Sequence, residues 1–120
     1  MIKLVIPGKP VPLQRHRTGS RGQYLPARSR EFREHVQTVW MASGRPSLGG
    51  SPFALAARFY GARPTADLDN LTKAILDALN TLAFSDDRQA VCFAGVHKLP
   101  ADSEGPRTEI DLWVPDRQAS

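Results

Sequence analysis

Residues 53–82 read FALAARFYGARPTADLDNLTKAILDALNTL. Apolar side chains alternate along residues 53–60, which predicts a strand with one side in the core. Pro64 then interrupts the chain, and the apolar spacing after it predicts an amphipathic helix over residues 70–82. A buried strand followed by such a helix indicates a small sheet covered by helices.

The remaining predicted elements extend this pattern in both directions. A short apolar strand is predicted at residues 2–6, and a helix capped by Ser29 is predicted to run from there to residue 43. Two further strands are predicted at about residues 90–99 and 108–114. The predicted order is β-α-β-α-β-β, and the fold class is α/β (α+β), a small mixed β-sheet with two main helices.

The 120 residues are predicted to form a single domain, residues 1–120. Glycine, proline and arginine are frequent in residues 7–26, which are predicted to form a long basic loop because this composition does not sustain a helix. Residues 115–120 are predicted to fray. Cys92 is the only cysteine, which excludes an internal disulfide, and it is interpreted as a small core residue.

The charge distribution favours a polyanionic partner. The formal net charge is +4, and residues 9–33 contain seven basic residues against the single acid Glu31. Arginine suits phosphate geometry, so nucleic acid is a candidate partner, although a solvated loop explains this charge equally well. No apolar run approaches the ~20 residues that span a bilayer. The apolar stretch at the N-terminus is too short for a secretory signal, so a cytoplasmic protein is expected.

Asp67 and Asp69 are the first candidate site residues. Helical residues two apart lie about 200° apart around the axis and could not share a cation, whereas in an extended segment they face the same side. Pro64 disfavours helix up to this point, so the pair is predicted at the helix entry with Asp69 as the N-cap. Helix capping alone explains the pair, and without further residues it is the favoured explanation.

Three downstream features favour a metal site. Lys73 lies four residues after Asp69 and is expected on the same helix face, and Asn70 adds an amide nearby. The doublet Asp86-Asp87 follows the helix, and the returning chain could bring one of its carboxylates back to the pair. Carboxylate oxygens suit Mg²⁺, which would polarise a phosphate beside the lysine ammonium. The alternatives are a surface salt bridge at the lysine and a solvated turn at the doublet.

The chain resembles the RusA family of crossover junction endodeoxyribonucleases, which are Holliday junction resolvases. The resemblance covers most of the chain and rests on several motifs. These are Pro7-Gly8-Lys9-Pro10-Val11-Pro12 leading into Arg15 and Arg17, Asp67-Leu68-Asp69-Asn70-Leu71-x-Lys73-Ala74, Asp77-Ala78-Leu79-Asn80, Asp86-Asp87-x-Gln89 and a final Lys98.

The resemblance implies a homodimer that binds four-way junction DNA and nicks two opposing strands in a Mg²⁺-dependent reaction, in which Mn²⁺ is expected to substitute. It implies the metal ligands Asp67, Asp69 and Asp87, with Lys73 as a further catalytic residue. Together with the basic stripe, it indicates DNA contacts from a larger set: Arg15, Arg17, Arg28, Arg30, Arg63, Asn70 and Lys73. Neither a membrane nor a small-molecule cofactor is expected.

Two other functions account for parts of the sequence. A catalytically inactive module of the same fold would bind junction or duplex DNA through its basic loop, but it would have no need for acids beside phosphates. An Asp-x-Asp phosphotransferase acting on small molecules would place its aspartates after a buried strand, whereas Pro64-Thr65-Ala66 precedes this pair. An endonuclease is therefore the favoured function.

Overall fold

A mixed sheet carries two helices, as the sequence predicts. The computed structural model describes residues 1–14, 17–19 and 22–115. In chain order this part of the protein contains β1 (Ile2–Pro7), β2 (Arg17–Gly19), β3 (Gly22–Tyr24), α1 (Ala27–Ala42), β4 (Phe53–Tyr60), α2 (Leu68–Leu79), β5 (Ala90–Leu99) and β6 (Arg107–Trp113). Apart from β2 and β3, the order is the predicted β-α-β-α-β-β, which confirms the fold class.

Four strands form the main sheet in the order β1-β6-β4-β5. β4 and β5 are parallel, and α2 lies in the crossover that a parallel pair requires. β6 pairs antiparallel with both β1 and β4. β4 therefore lies inside the sheet, and Phe53, Leu55, Ala57 and Phe59 are fully buried, which confirms the predicted alternation.

The hydrophobic core joins the two helices to the sheet. α2 buries one apolar face that includes Leu71, Ile75 and Leu79. The rings of Phe53 and Phe84 stack with their centroids 4.5 Å apart, which ties the segment after α2 to the start of β4. Within the described ranges, neither helix is long and apolar enough to cross a membrane.

The helix boundaries differ from the prediction. α1 starts at Ala27 after Pro26, and Ser29 is a buried residue of its first turn and not the cap. The Ser29 hydroxyl accepts a hydrogen bond from Gln14 N at 3.1 Å and donates to Pro12 O at 3.4 Å. The serine thus binds a distant loop, a partner that local capping rules do not include.

The prediction of a loop throughout residues 7–26 is wrong in part. β2 and β3 pair antiparallel inside this range. Each strand has only three residues, too few for alternation to be recognised among glycines. Residues 7–14 lack regular structure beyond the end of β1, as predicted. The tail predicted to fray is residues 115–120, and all of it after residue 115 lies outside the described residues.

The prediction that Cys92 belongs to the core is also wrong, because its side chain is exposed. Cys92 lies on β5, an edge strand of the sheet. Its neighbours Val91 and Phe93 are 61% and 55% exposed. An edge strand has a sheet neighbour on one side only, so an apolar sequence there does not ensure burial.

An ion-pair network joins β4 to β6. Arg58 Nε donates to Glu109 Oε1 at 2.8 Å, and Arg107 Nε donates to Glu109 Oε2 at 2.9 Å. The hydrogen bond from Arg58, followed by that from Arg107, holds the pKa of the Glu109 carboxyl below its usual range. The Arg107 guanidinium also lies 3.8 Å from the centre of the Tyr60 ring. These contacts reinforce the register of the two strands.

Candidate active site

Both candidate aspartates lie at the start of α2. Asp67 has an extended backbone and is the N-cap, since its Oδ1 accepts a hydrogen bond from Asp69 N at 2.8 Å. The prediction that Asp69 caps the helix is therefore wrong, and Asp69 lies in the first turn. The helix starts early because a turn closed by Ala66 N and Arg63 O, 2.9 Å apart, directly precedes Asp67. Both carboxylates lie near the positive end of the helix dipole.

Lys73 lies on the same helix face as Asp69, as the spacing predicts. Its Nζ is 3.0 Å from Asp69 Oδ2. The two side chains are 58% and 66% exposed, so the pair contributes only a few tenths of a kcal/mol, about the value of other exposed helix pairs. Because the pair is weak, a ligand could replace either partner at little cost.

Lys98 holds the turn that leads into Asp67. Its Nζ donates to Pro64 O at 2.9 Å and to Ala66 O at 2.7 Å. The sequence identifies Lys98 as part of a motif but gives it no role. The contact joins residues 32 apart in sequence, which the parallel pairing of β4 with β5 brings together.

The first part of the basic loop is fixed beside the acidic pair. Leu13 N donates to the main-chain oxygen of Asn70 at 2.9 Å, in the first turn of α2. The hydrogen bond from Gln14 to Ser29 attaches the next residue to α1. Asn70 therefore positions the loop through its main chain, while the DNA contact expected of its side chain stays a prediction.

The two residues of the second acidic doublet have different environments. Asp86 caps a single turn of 3-10 helix, Asp87–Gln89, by accepting from Arg88 N at 2.9 Å. The side chain of Arg88, followed by its main-chain N–H, lowers the pKa of the Asp86 carboxyl to about 2. Asp87 is exposed and forms no ion pair with other described residues. Of the two, Asp87 is the carboxylate that is not engaged in capping.

The doublet does not return to the acidic pair within one chain. Ser85 N donates to Gly49 O at 3.1 Å, and Gln89 Nε2 donates to Ser51 O at 2.8 Å, which holds the doublet beside the segment that precedes β4. The 12 residues of α2 span ~18 Å between the two acidic groups. In the part of the chain that is described, no three His, Cys, Asp or Glu side chains could hold one metal ion. The three-ligand set stays a prediction.

The predicted DNA-contacting arginines have different positions. Arg28 and Arg63 line one cavity together with Lys9, whereas Arg30 is exposed on α1. Arg17 begins β2, and Arg15 lies outside the described residues. The sequence did not single out Lys9 as a site residue, although it belongs to the basic stripe. Its proximity to Arg63 depends on how the loop packs, which no local pattern reveals.

An apolar depression adjoins Asp69. It has a volume of about 220 Å³ and is lined by Leu68, Thr72, Phe93 and Val96 besides the aspartate. Phe93 projects from the edge strand and is 55% exposed. The exposed carboxylate of Asp69 thus lies between this apolar surface on one side and the Lys73 ammonium on the other.

Comparison with known protein families supports the resemblance that the sequence motifs indicate. The family model Endodeoxyribonuclease RusA matches residues 7–113. No curated protein matches the chain significantly. Members of the RusA family are crossover junction resolvases, and nucleases of this kind generally use a divalent metal. Since the match extends over most of the 120 residues, the chain belongs to the RusA family of endodeoxyribonucleases, which act on Holliday junction DNA.

Proposed function

We propose that the protein is a Mg²⁺-dependent Holliday junction resolvase that makes paired symmetric nicks as a homodimer, and that it acts in the cytoplasm on DNA in recombination and repair. The observation that carries the proposal is the first turn of α2. Asp67 caps this turn, Asp69 lies within it, and the exposed carboxylate of Asp69 pairs with the ammonium of Lys73 one turn further on. Family membership supports junction DNA as the substrate.

The start of α2 fits a divalent cation. Mg²⁺ is usually held by one or two protein carboxylates, with water and substrate phosphate completing its coordination. Asp67 and Asp69 supply two exposed carboxylates, a donor set of this kind. When bound, Mg²⁺, or Mn²⁺ in its place, would polarise the scissile phosphate and lower the pKa of a coordinated water.

Lys73 is proposed to act on the phosphate directly. Its exposed ammonium pairs with Asp69 in the free protein and would turn to the negative charge that develops on the phosphoryl or leaving oxygen. Asn70, in the same helical turn, is proposed to orient the DNA strand through its side-chain amide. Arg15, Arg17, Arg28, Arg30 and Arg63 are proposed to bind the DNA backbone.

A homodimer in which the two subunits share metal sites would explain why Asp87 lies away from the acidic pair of its own chain. Symmetric cuts at a two-fold junction are simplest for a two-fold protein. Within one chain, Asp87 lies beside the segment before β4 and away from the first turn of α2. We therefore assign Asp87 to the metal site of the second subunit, in which it would join Asp67 and Asp69 of that copy.

Nicking of a labelled four-way junction by the purified protein, with Mg²⁺ or with EDTA, tests the proposal. Wild type should make paired nicks with Mg²⁺ only. Asp69→Asn and Lys73→Ala should lower kcat by at least ~10²-fold, as losses of charge stabilisation do, and should keep junction affinity within a few fold. Glu34→Gln removes an exposed charge on α1 and should cut normally.

Equal cutting by both variants and wild type would show that the proposed site is wrong. Junction binding by wild type without nicking under any divalent ion would instead support the catalytically inactive binding module.

A further inference from the structure

A basic cavity lies beside the acidic pair. Its volume is about 140 Å³, room for several waters or for one tetrahedral oxyanion group. It is lined from three separate parts of the chain: Lys9, Pro10 and Pro12 of the loop, Arg28 of α1, and Arg63 and Ala66 of the turn before α2. Ala66 directly precedes Asp67, so the cavity borders the proposed cleavage site.

Three cations share this cavity. Lys9, Arg28 and Arg63 are exposed, and none of them forms an ion pair with the residues that the structure describes. The acids nearest to these lining residues in sequence are Asp67, which follows Ala66, and Glu31, which lines a neighbouring depression together with Lys9 and Arg28. The lining therefore has excess positive charge, and guanidinium groups bind phosphate oxygens in a bidentate way.

The walls of the cavity are held in place before any ligand binds. The loop wall is attached to α2 by Leu13 N and to α1 by Gln14 N. The opposite wall is held by Lys98 Nζ, which donates to Ala66 O at 2.7 Å. Because these bonds fix the loop and the turn, a ligand would not have to order them on binding.

We propose that this cavity binds one backbone phosphate of the junction, a neighbour of the scissile phosphate on the same strand. The inference rests on the proposed function, since that function defines which phosphate is cut. Lys9, Arg28 and Arg63 would contact the phosphate oxygens, and the proline-rich wall would pack against the sugar. Because Ala66 joins the cavity to Asp67, binding here would set which phosphodiester reaches the carboxylates.

A phosphate scan of the DNA combined with charge removal in the protein tests the cavity. A series of junctions carries one neutral methylphosphonate at each position around the cleavage site. Dissociation constants are measured in EDTA for wild type, Lys9→Gln, Arg63→Gln and the control Arg45→Gln. Arg45 lies beyond the C-terminal end of α1, ~24 Å from its start, and loses the same charge.

Wild type should lose about tenfold in affinity at one methylphosphonate position in particular. Lys9→Gln and Arg63→Gln should each bind the unmodified junction several-fold more weakly and should lose less affinity than wild type at that position, while Arg45→Gln should follow wild type. Thermal unfolding of each variant verifies that it is folded.

The cavity proposal would be overturned if the affinity losses caused by the variant and by the methylphosphonate simply add at every position. It would also be overturned if neither variant binds the junction more weakly than wild type. Wild-type nicking of the unmodified junction with Mg²⁺ is measured in parallel. If wild type nicks the junction but the variants show no reduced methylphosphonate effect at any position, the proposed function is supported and the cavity proposal is refuted. If that reduced effect is found at one position but wild type does not nick, the cavity proposal is supported and the proposed endonuclease function is refuted.

Discussion

Replacing Lys98 by methionine should impair the active site although Lys98 is not expected to contact substrate. Methionine preserves much of the apolar side chain but cannot donate hydrogen bonds. Pro64 O and Ala66 O would then lose donors at 2.9 Å and 2.7 Å. Ala66 is buried, so its carbonyl would be left without a partner where water has little access. The turn that positions Asp67 would be released.

The size of the effect follows from the two bonds. The bond to Ala66 comes from a charged donor in partly buried surroundings and contributes ~1.5 kcal/mol, whereas the exposed bond to Pro64 contributes ~0.5 kcal/mol. Their loss lowers the free energy of unfolding by ~2 kcal/mol. For 120 residues the unfolding entropy is ~0.25 kcal/mol/K, so Tm should fall by ~8 °C. A shift of Asp67 by ~1 Å would lower kcat by ~10- to 100-fold.

Thermal unfolding followed by circular dichroism, and junction nicking well below Tm, measure these two effects. DNA affinity should change less than kcat because, of the proposed DNA-contacting residues, only Arg63 lies in the released turn. Lys3→Met, at an exposed position of β1, should keep Tm within ~2 °C and cut normally. Lys98→Arg keeps a charged donor and should recover part of both losses. A Lys98→Met protein with unchanged kcat would refute the positioning role, and an unchanged Tm as well would refute the hydrogen-bond argument.

Two further predictions concern the dimer and the ion pairs. If Asp87 acts in the partner's site, mixing the inactive Asp69→Asn and Asp87→Asn proteins should restore single nicks, because one of the two sites in a mixed dimer is then intact. If mixtures whose subunits have exchanged do not cut, Asp87 belongs to the site of its own subunit. The lowered pKa of Glu109 stabilises the fold above the unfolded pKa of ~4.3, and this contribution is lost as pH falls through the folded value. Glu109→Gln should therefore lower Tm at neutral pH by ~4 °C, for ~1 kcal/mol, and flatten the fall of Tm as the pH drops through the unfolded pKa and below it.

Local sequence was sufficient where one pattern extended over several residues. The alternation in residues 53–60 predicted β4 with its observed bounds and its buried side, because the central strand has core contacts along its whole length. The apolar face of α2 was predicted for the same reason. Spacing also predicted that Lys73 meets Asp69, since residues four apart are neighbours on any helix.

The failures have a common cause. Two residues that are two positions apart, Asp67 and Asp69, could both cap α2, and the turn held by Lys98 favours the first. Ser29 could cap α1 but is used by a loop fifteen residues away in sequence. Cys92 has an apolar neighbourhood in sequence, but it lies on a strand with one open side. In each case the outcome depended on contacts between segments far apart in sequence.

The sequence by itself determined the order of the two helices and the four main-sheet strands, the family and the residues able to perform the chemistry, because periodicity, motif and side-chain type are local properties. Tertiary structure decided which of these residues meet. It assembled Lys9, Arg28 and Arg63 around one cavity beside Asp67, because loop, helix and turn converge there. It also separated Asp87 from the acidic pair, because hydrogen bonds to Gly49 and Ser51 hold that doublet beyond the far end of α2. Such convergence and separation depend on packing across the whole chain, which no short stretch of residues encodes.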